Sequence, residues 1–366
     1  MTTRNRLFRP DINHMTGYQP GQWPALNAGV LKLNSNENPY PPSPKVLAAL
    51  TDITGESLRR YPDPRAQEFC QTVSETFGIP ADWVIAGNGS DDLLTMLVRA
   101  CAEGHHRALA YPMPTYVLYR TLAAMQPAGT TEIPYAGTAH GQVWQLPVEK
   151  LLQTQAAVTL VASPNSPSGH IVPIDDLRSL AKGLSGVLAI DEAYVDFVGK
   201  DADQASLALV REFENVIVLR TLSKGYSLAG LRLGFGCAQP TLLQGLLKVK
   251  DSYNVDAVAL RLGAAAIADQ SYKDDCVEKN AIARKHLVTN LEALGFLVWP
   301  SHTNFLLVQP PGKTPVATAW ALCEGLKARK ILIRYFNQPG LDDKLRITVG
   351  TLEQNERLVS AIKELL

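Results

Sequence analysis

Lys224 follows an apolar run, Val216 to Leu219, and sits within Arg220-Thr221-Leu222-Ser223-Lys224-Gly225-Tyr226-Ser227-Leu228-Ala229-Gly230-Leu231-Arg232-Leu233-Gly234. Thr221, Ser223 and Arg232 around it are donors of the kind that bind phosphate. An amine in such company suits an enzyme that holds a phosphorylated aldehyde as a Schiff base and then uses the freed amine to move protons. Taken alone, the Ser-Lys pair fits a solvated surface lysine better, because short motifs match by accident. The weight comes from the other side chains that could act with it.

Gly87-Asn88-Gly89-Ser90-Asp91-Asp92 lies between a predicted strand, Asp82 to Ala86, and an apolar helix from Leu93 to Cys101. Backbone N–H groups and the positive end of a helix dipole converge there, and glycine permits close approach, so the loop can seat a phosphate. An ordinary N-cap turn uses the same residues, and the spacing is not the dinucleotide GxGxxG pattern. Asp191 closes the apolar run Gly186 to Ile190, at the carboxyl end of a predicted strand, where open α/β sheets bind their ligands. A carboxylate there can keep a pyridine nitrogen protonated and deepen an electron sink. Tyr194 comes three residues later, within reach of the same ligand if the chain turns; an N-capping aspartate beside a packed tyrosine is the alternative. Tyr116 ends the proline-stiffened turn Tyr111-Pro112-Met113-Pro114-Thr115-Tyr116, where its ring suits either stacking on a flat ligand or a place in the core. Arg334 and Arg346 fall in two predicted C-terminal strands, and two guanidinium forks in one small unit suit a carboxylate or phosphate. Surface salt bridging is the other use of such residues, and it fits Arg334 better than Arg346, which is flanked by apolar and β-branched neighbours.

These groups need a scaffold that brings distant segments together. The chain has 366 residues, enough for a large core and two packed units. Its middle repeats a strand-loop-helix rhythm, with strands predicted at Arg107 to Tyr111, Ala157 to Ala162, Val187 to Ile190, Val216 to Leu219 and Gly234 to Cys237. Such a rhythm builds a buried, mostly parallel sheet flanked by helices. A long helical pattern from Val258 to Leu294 leads to a smaller α+β unit. The expected division is an N-terminal arm and loop over 1–42, a large domain over 43–260 and a small C-terminal domain over 261–366.

Composition narrows the chemistry. Lysine plus arginine and aspartate plus glutamate number 35 each, which leaves no electrostatic footprint for nucleic acid or an anionic membrane. No window has the unbroken apolar length of a membrane span, and the basic N-terminus lacks the apolar region of a secretory signal. The five cysteines are scattered without a CxxC pair, which argues against a disulfide framework and a zinc site and fits a reducing cytoplasm. The seven histidines have no metal-ligand spacing, so no metal is expected, and no GxSxG elbow appears.

The order of motifs resembles that of the histidinol-phosphate aminotransferases, within the aspartate-aminotransferase superfamily of pyridoxal-phosphate enzymes. It is carried nearly end to end by Gly17-Tyr18-Gln19-Pro20-Gly21, Asn36-Glu37-Asn38-Pro39, Tyr61-Pro62-Asp63-Pro64, Gly87-Asn88-Gly89-Ser90-Asp91, Pro114-Thr115-Tyr116, Asp191-Glu192-Ala193-Tyr194, Ser223-Lys224, Asn304-Phe305 and Leu345-Arg346-Ile347-Thr348-Val349-Gly350. The resemblance implies the fold type I of pyridoxal-phosphate transferases, an α/β fold. It also implies that Lys224 is the Schiff-base lysine and proton shuttle, with Asp191 at the pyridine nitrogen, Tyr194 at the ring oxygen and Tyr116 stacked on the ring. Phosphate would be held by Ser90, Asp91, Thr221, Ser223 and Arg232, and by Tyr61 reaching across the interface of a homodimer. Arg334 and Arg346 would grip the anionic end of the substrate, with Tyr18 closing over it. Transamination between L-histidinol phosphate and 2-oxoglutarate is the implied reaction; an aromatic-amino-acid aminotransferase and a threonine-phosphate decarboxylase share the same logic. A pyridoxal-phosphate-binding regulatory module would need a DNA-binding segment for which the chain has no room.

The chain departs from the family pattern at Asn165-Ser166-Pro167-Ser168-Gly169, where Asn-Asn-Pro-Thr-Gly is usual. Ser166 thus stands where an asparagine normally helps Tyr194 hold the ring oxygen, and Asn165 or a water is expected to compensate. Gly225-Tyr226-Ser227 and Ser252-Tyr253-Asn254-Val255 depart as well, away from the core chemistry.

Overall fold

The computed structural model of the protein describes residues 7–15, 17, 24–25, 28–137 and 142–366, with 105–107 and 200–204 described by backbone alone. Thirteen strands occur among them: β1 Leu31–Lys32, β2 Val84–Gly87, β3 Gly104–Met113, β4 Ala128–Pro134, β5 Val158–Ala162, β6 Val187–Asp191, β7 Val216–Thr221, β8 Gly234–Ala238, β9 Leu297–Val298, β10 Phe305–Gln309, β11 Ile331–Leu332, β12 Arg334–Tyr335 and β13 Leu345–Thr348.

Seven of them form one sheet in the order β2-β8-β7-β6-β5-β3-β4, parallel except for β8, which runs antiparallel to both neighbours. The central runs Val-Thr-Leu-Val-Ala, Val-Leu-Ala-Ile-Asp and Val-Ile-Val-Leu-Arg-Thr are apolar on both faces because helices cover both. Side chains alternate accordingly. Leu160, Ala189 and Ile217 pack with Leu93, Leu97 and Tyr119 on one face, while Val161, Ile190 and Val218 pack with Leu177, Leu180 and Leu207 on the other. Since β2, β5, β6 and β7 run the same way, their carboxyl ends, Gly87, Ala162, Asp191 and Thr221, share one edge of the sheet.

The C-terminal part forms a four-stranded antiparallel sheet, β12-β13-β10-β9, backed by the helices Gln270–Ala293 and Leu352–Lys363 through Leu287, Leu291, Leu306, Ile347, Leu358 and Ile362. The mostly parallel α/β class expected from the rhythm of the chain is the one observed.

Three local features differ from the sequence expectation. The stretch expected to be an extended arm contains β1, which pairs in parallel with β11, and Leu31 and Leu33 join the C-terminal core. The helical pattern from Val258 to Leu294 is two helices, Ala257–Ile267 and Gln270–Ala293. Between them the buried carboxylate of Asp269 accepts from the Ser43 hydroxyl and from Lys45 Nζ at 2.8 Å, a tertiary pairing that periodicity does not register. The edge strand β4 buries only Ile133 and so lacks the apolar run that marked its neighbours.

Candidate active site

The shared edge of the large sheet opens into a cleft of about 330 Å³, closed on its far side by the C-terminal sheet. Lys224, Asp191, Tyr194, Ser90, Asp91, Tyr116, Ser166, Thr221, Ser223, Arg232, Arg334 and Arg346 all line it.

Register builds the phosphate end. Gly87 at the end of β2 lies opposite Gly234 at the start of β8, and Gly234 lies opposite Thr221 at the end of β7. Glycine is required in the middle of that row, because a Cβ on Gly234 would stand 2.6 Å from the Arg220 carbonyl oxygen and 2.7 Å from the Ser90 nitrogen. The helix Ser90–Cys101 therefore begins beside the loop that follows β7. Its N-cap is Gly89, so no side chain caps the first turn, whose N–H groups have no partner within the helix. Thr221 Oγ1 donates to Ser223 Oγ at 2.9 Å and accepts the Ser223 N–H at 3.2 Å. Arg232, at φ +55, directs Nη1 to Ser223 Oγ at 3.4 Å and Nη2 to Asp91 Oδ2 at 3.2 Å, while the Tyr116 hydroxyl donates to Asp91 Oδ1 at 3.3 Å.

At the other end, Asp191 is buried at the tip of β6. Its Oδ2 accepts from the Tyr119 hydroxyl at 2.8 Å and its Oδ1 from the Ala193 N–H at 3.2 Å. Burial pushes the carboxyl up to about 6, against the pull of the Tyr119 hydrogen bond and with a further push from the charge of Asp91. Both donors are neutral, so a protonated ring nitrogen would supply the positive partner that this carboxylate lacks among them. Together with the uncapped helix start and the Thr221, Ser223 and Arg232 donors, this is a donor set that fits pyridoxal phosphate.

Lys224 Nζ lies between the two ends, donating to the Ser35 carbonyl at 3.2 Å and standing 5.9 Å from the centre of the Tyr194 ring. Asn38 Nδ2 holds the backbone carbonyls of Lys224 and Gly225 at 3.1 and 3.2 Å. Gly225 has no room for a side chain: a Cβ would meet Asp196 Oδ2 at 2.3 Å.

The arginines come from the C-terminal sheet. Arg334 on β12 and Arg346 on β13 are direct cross-strand partners. Two like charges set opposite each other are destabilising unless an anion bridges them, so the pair is suited to one. Arg346 lies 5.3 Å from the Phe305 ring centre and 5.8 Å from that of Phe336, and donates to Ser166 Oγ and to the Asn34 carbonyl, each at 3.0 Å.

Two residues named from the sequence are placed elsewhere, and a third lies outside the described residues. Asn165 is fully buried behind the lining, accepting from Thr115 Oγ1 at 2.7 Å and donating to Ser168 Oγ at 2.9 Å and the Pro114 carbonyl at 3.2 Å. Tyr61 is 80 % exposed, away from the cleft of its own chain, and stacks on Tyr253 with ring centres 4.4 Å apart. Tyr18 lies outside the described residues. Conversely, sequence reasoning passed over Tyr119 and Asn36. Tyr119 reads as one more apolar-face residue of the helix Leu118–Met125, and Asn36 meets Tyr194 across 158 positions, through a 2.8 Å bond from its amide to the hydroxyl.

Comparison with known proteins supplies relatives for this arrangement. Residues 28–362 match the family model of aminotransferase class I and II. The chain is 59 % identical over 359 residues to histidinol-phosphate aminotransferase 1 of Trichormus variabilis, covering 98 % of this chain and 99 % of the relative. It is 42 % identical over 358 residues to the histidinol-phosphate aminotransferase of a Geobacter species, covering 98 % of each. Among solved structures, it superposes with a TM-score of 0.87 and 26 % identity on histidinol-phosphate aminotransferase from Sinorhizobium meliloti in complex with pyridoxal-5′-phosphate, covering 100 % of this chain and 98 % of that one.

Proposed function

We propose how the residues of this cleft divide the work of a transaminase, from the premise that the chain belongs to the class I and II aminotransferases and, within them, to the histidinol-phosphate aminotransferases. The protein is a pyridoxal-phosphate-dependent enzyme of fold type I. L-Histidinol phosphate and 2-oxoglutarate are its substrate pair in this reading, giving imidazole-acetol phosphate and glutamate. The observation that carries it is the placement of Lys224 between a phosphate seat and the buried Asp191, with two arginines facing it from the other sheet.

When bound, pyridoxal phosphate supplies the carbonyl that captures an amine and the electron sink that lets the bond from Cα to hydrogen break. Ser90, Thr221, Ser223, Arg232 and the N–H groups at the start of Ser90–Cys101 hold its phosphate, and the Asp91 carboxylate keeps Arg232 in place beside them. Asp191 pairs the ring nitrogen, Tyr194 donates to the ring oxygen and Tyr116 covers the ring. Lys224 anchors the cofactor and, once a substrate amine has replaced it, takes the proton from the substrate Cα. Arg334 and Arg346 bind the anionic end of the substrate, and Tyr18 belongs over the same space. Ser166 acts through Arg346. Asn165 acts from behind the lining, by fixing the turn that carries Tyr116.

The working form in this reading is a homodimer, with Tyr61 completing the phosphate seat of the partner subunit. Its stack with Tyr253, both rings being exposed, supports that assignment. No described helix is long and apolar enough to cross a membrane. All five cysteines are free thiols, in keeping with work in a reducing cytoplasm. The chain divides functionally into the arm and loop 1–42, the cofactor domain 43–260 and the substrate-gripping domain 261–366.

Single-turnover reactions test the substrate. The absorbance of the bound cofactor is followed as histidinol phosphate, phenylalanine or phosphothreonine is mixed with the holoenzyme, and histidinol phosphate is expected to discharge it fastest. Much faster discharge by phenylalanine would remove the assignment.

A further inference from the structure

We propose that Asn36 is a positioning residue for Tyr194: its carboxamide, rather than Ser166, holds the tyrosine hydroxyl so that its proton faces the cofactor. This rests on the reading of Tyr194 as the partner of the ring oxygen.

Asn36 is 1 % exposed and has φ +56, a left-handed conformation that asparagine tolerates better than most residues. All four of its polar groups are engaged. Its N–H donates to Thr348 Oγ1 at 3.0 Å, its carbonyl accepts from Asn304 Nδ2 at 2.9 Å, its Oδ1 accepts from Thr348 Oγ1 at 3.1 Å, and its Nδ2 donates to the Tyr194 hydroxyl at 2.8 Å. The Thr348 hydroxyl fixes the direction of the last bond. That oxygen accepts the Asn36 N–H and gives its own proton to Oδ1, which leaves the amide NH2 facing Tyr194. The phenol oxygen is thereby an acceptor on the Asn36 side, and its proton is directed away from Asn36, toward the cleft that Tyr194 lines. The ring is held as well, edge-on to Phe305 at 5.1 Å and 83°, and Phe305 is the cross-strand partner of Thr348.

Ser166, which stands where the family pattern has an asparagine, is engaged elsewhere. Its hydroxyl accepts from Arg346 Nη1. Asn36 thus supplies an amide donor from a different segment of the chain. That segment touches three members of the site in succession: the Asn34 carbonyl meets Arg346, the Ser35 carbonyl meets Lys224, and the Asn36 amide meets Tyr194.

Asn36→Asp tests this, since it keeps the shape and replaces the donor by an acceptor that draws the tyrosine proton toward itself. The readout is the pH midpoint of the absorbance change of bound pyridoxal phosphate in the holoenzyme, which depends on donation to the ring oxygen: donation favours the form with an anionic oxygen, so its loss moves the midpoint up. An upward shift of about 0.7 pH unit or more, the equivalent of one ordinary hydrogen bond, is expected. Asn36→Gly, which suits the positive φ, should move the midpoint the same way and serves if the aspartate variant does not fold. A wild-type midpoint in a folded variant overturns the proposal. Tyr194→Phe separates the two readings. If it raises the midpoint while the Asn36 variants do not, Asn36 alone is misassigned; if it leaves the midpoint unmoved, Tyr194 is not the partner of the ring oxygen and the proposal falls with it.

Discussion

The Tyr119 hydroxyl donates to Asp191 Oδ2 at 2.8 Å, with both side chains sealed in the interior. That bond, with the weaker one from the Ala193 N–H, opposes the rise of the Asp191 carboxyl, which burial carries to about 6. Asp191 is therefore largely ionised in the apoprotein above pH 6 and largely protonated below it. A ring nitrogen that arrives protonated needs the ionised form, so cofactor affinity should fall as pH drops through about 6.

Tyr119→Phe removes a cause that lowers the Asp191 carboxyl, so the acid limb of cofactor affinity should move above pH 6. A hydrogen bond to a charged group is worth about 1.5–3 kcal/mol, or about one to two pH units, so affinity at pH 7 should fall about twofold to fifteenfold. Titrating the apoprotein with pyridoxal phosphate across pH 5–8 measures both effects. An unmoved limb would show that Tyr119 only fills space.

Lys224→Ala should lower turnover by at least about a thousandfold, since one residue both anchors the cofactor and carries the proton. The fold should survive it. Lys224 Nζ makes a single hydrogen bond, to the Ser35 carbonyl, whose loss costs about 1 kcal/mol. Steady-state assays and a thermal melt decide together; loss of activity with a large loss of Tm would move Lys224 from chemistry to structure.

Lys224 and Asp191 were legible in the sequence because each closes or follows an apolar strand, and the carboxyl edge of a parallel sheet is where ligands collect. Register then explains what spacing alone left open, as Gly87, Gly234 and Thr221 fall in one row and bring Ser90 beside Ser223. Tyr119 was not legible: on an amphipathic helix a buried tyrosine reads as core until its hydroxyl is seen on Asp191. Asn36 was not, because its partner lies 158 residues away and hydrogen-bond direction leaves no periodic trace. Asn165 shows the reverse case. Its motif pointed to the ligand, whereas its amide is engaged by Thr115, Ser168 and the Pro114 carbonyl.

Glu192, next to Asp191, pairs with Arg220 at 2.8 Å, and both side chains are nearly without exposure at 2 % and 4 %. The guanidinium also lies 4.9 Å from the centre of the Phe77 ring. Such a pair adds little over a well-packed apolar substitute, yet removing one partner leaves a buried charge and costs about 3–5 kcal/mol. Glu192→Ala should lower stability by that amount in urea unfolding, with Glu192→Gln costing less because the hydrogen bond persists. Equal losses for the two variants would mean that packing, not charge, sets the cost.

Gly89 and Gly234 flank the phosphate seat and should fail differently when a methyl is added. At Gly89, φ +76 already disfavours alanine, and the new Cβ would stand 2.8 Å from Arg232 Nη2, the far end of a flexible side chain. The arginine can swing away, so the protein should fold while losing the guanidinium from beside Ser223, at a cost in cofactor affinity of about tenfold or more. At Gly234 the new Cβ would meet only backbone, the Arg220 carbonyl and the Ser90 nitrogen, neither of which can move without parting β7 from β8 or the helix Ser90–Cys101 from the sheet. Gly234→Ala should therefore lower Tm and soluble yield before any question of binding arises. Cofactor titration of the first variant and thermal unfolding of both make the comparison, and a Gly89→Ala protein that binds the cofactor as tightly as wild type would take Arg232 out of the phosphate seat.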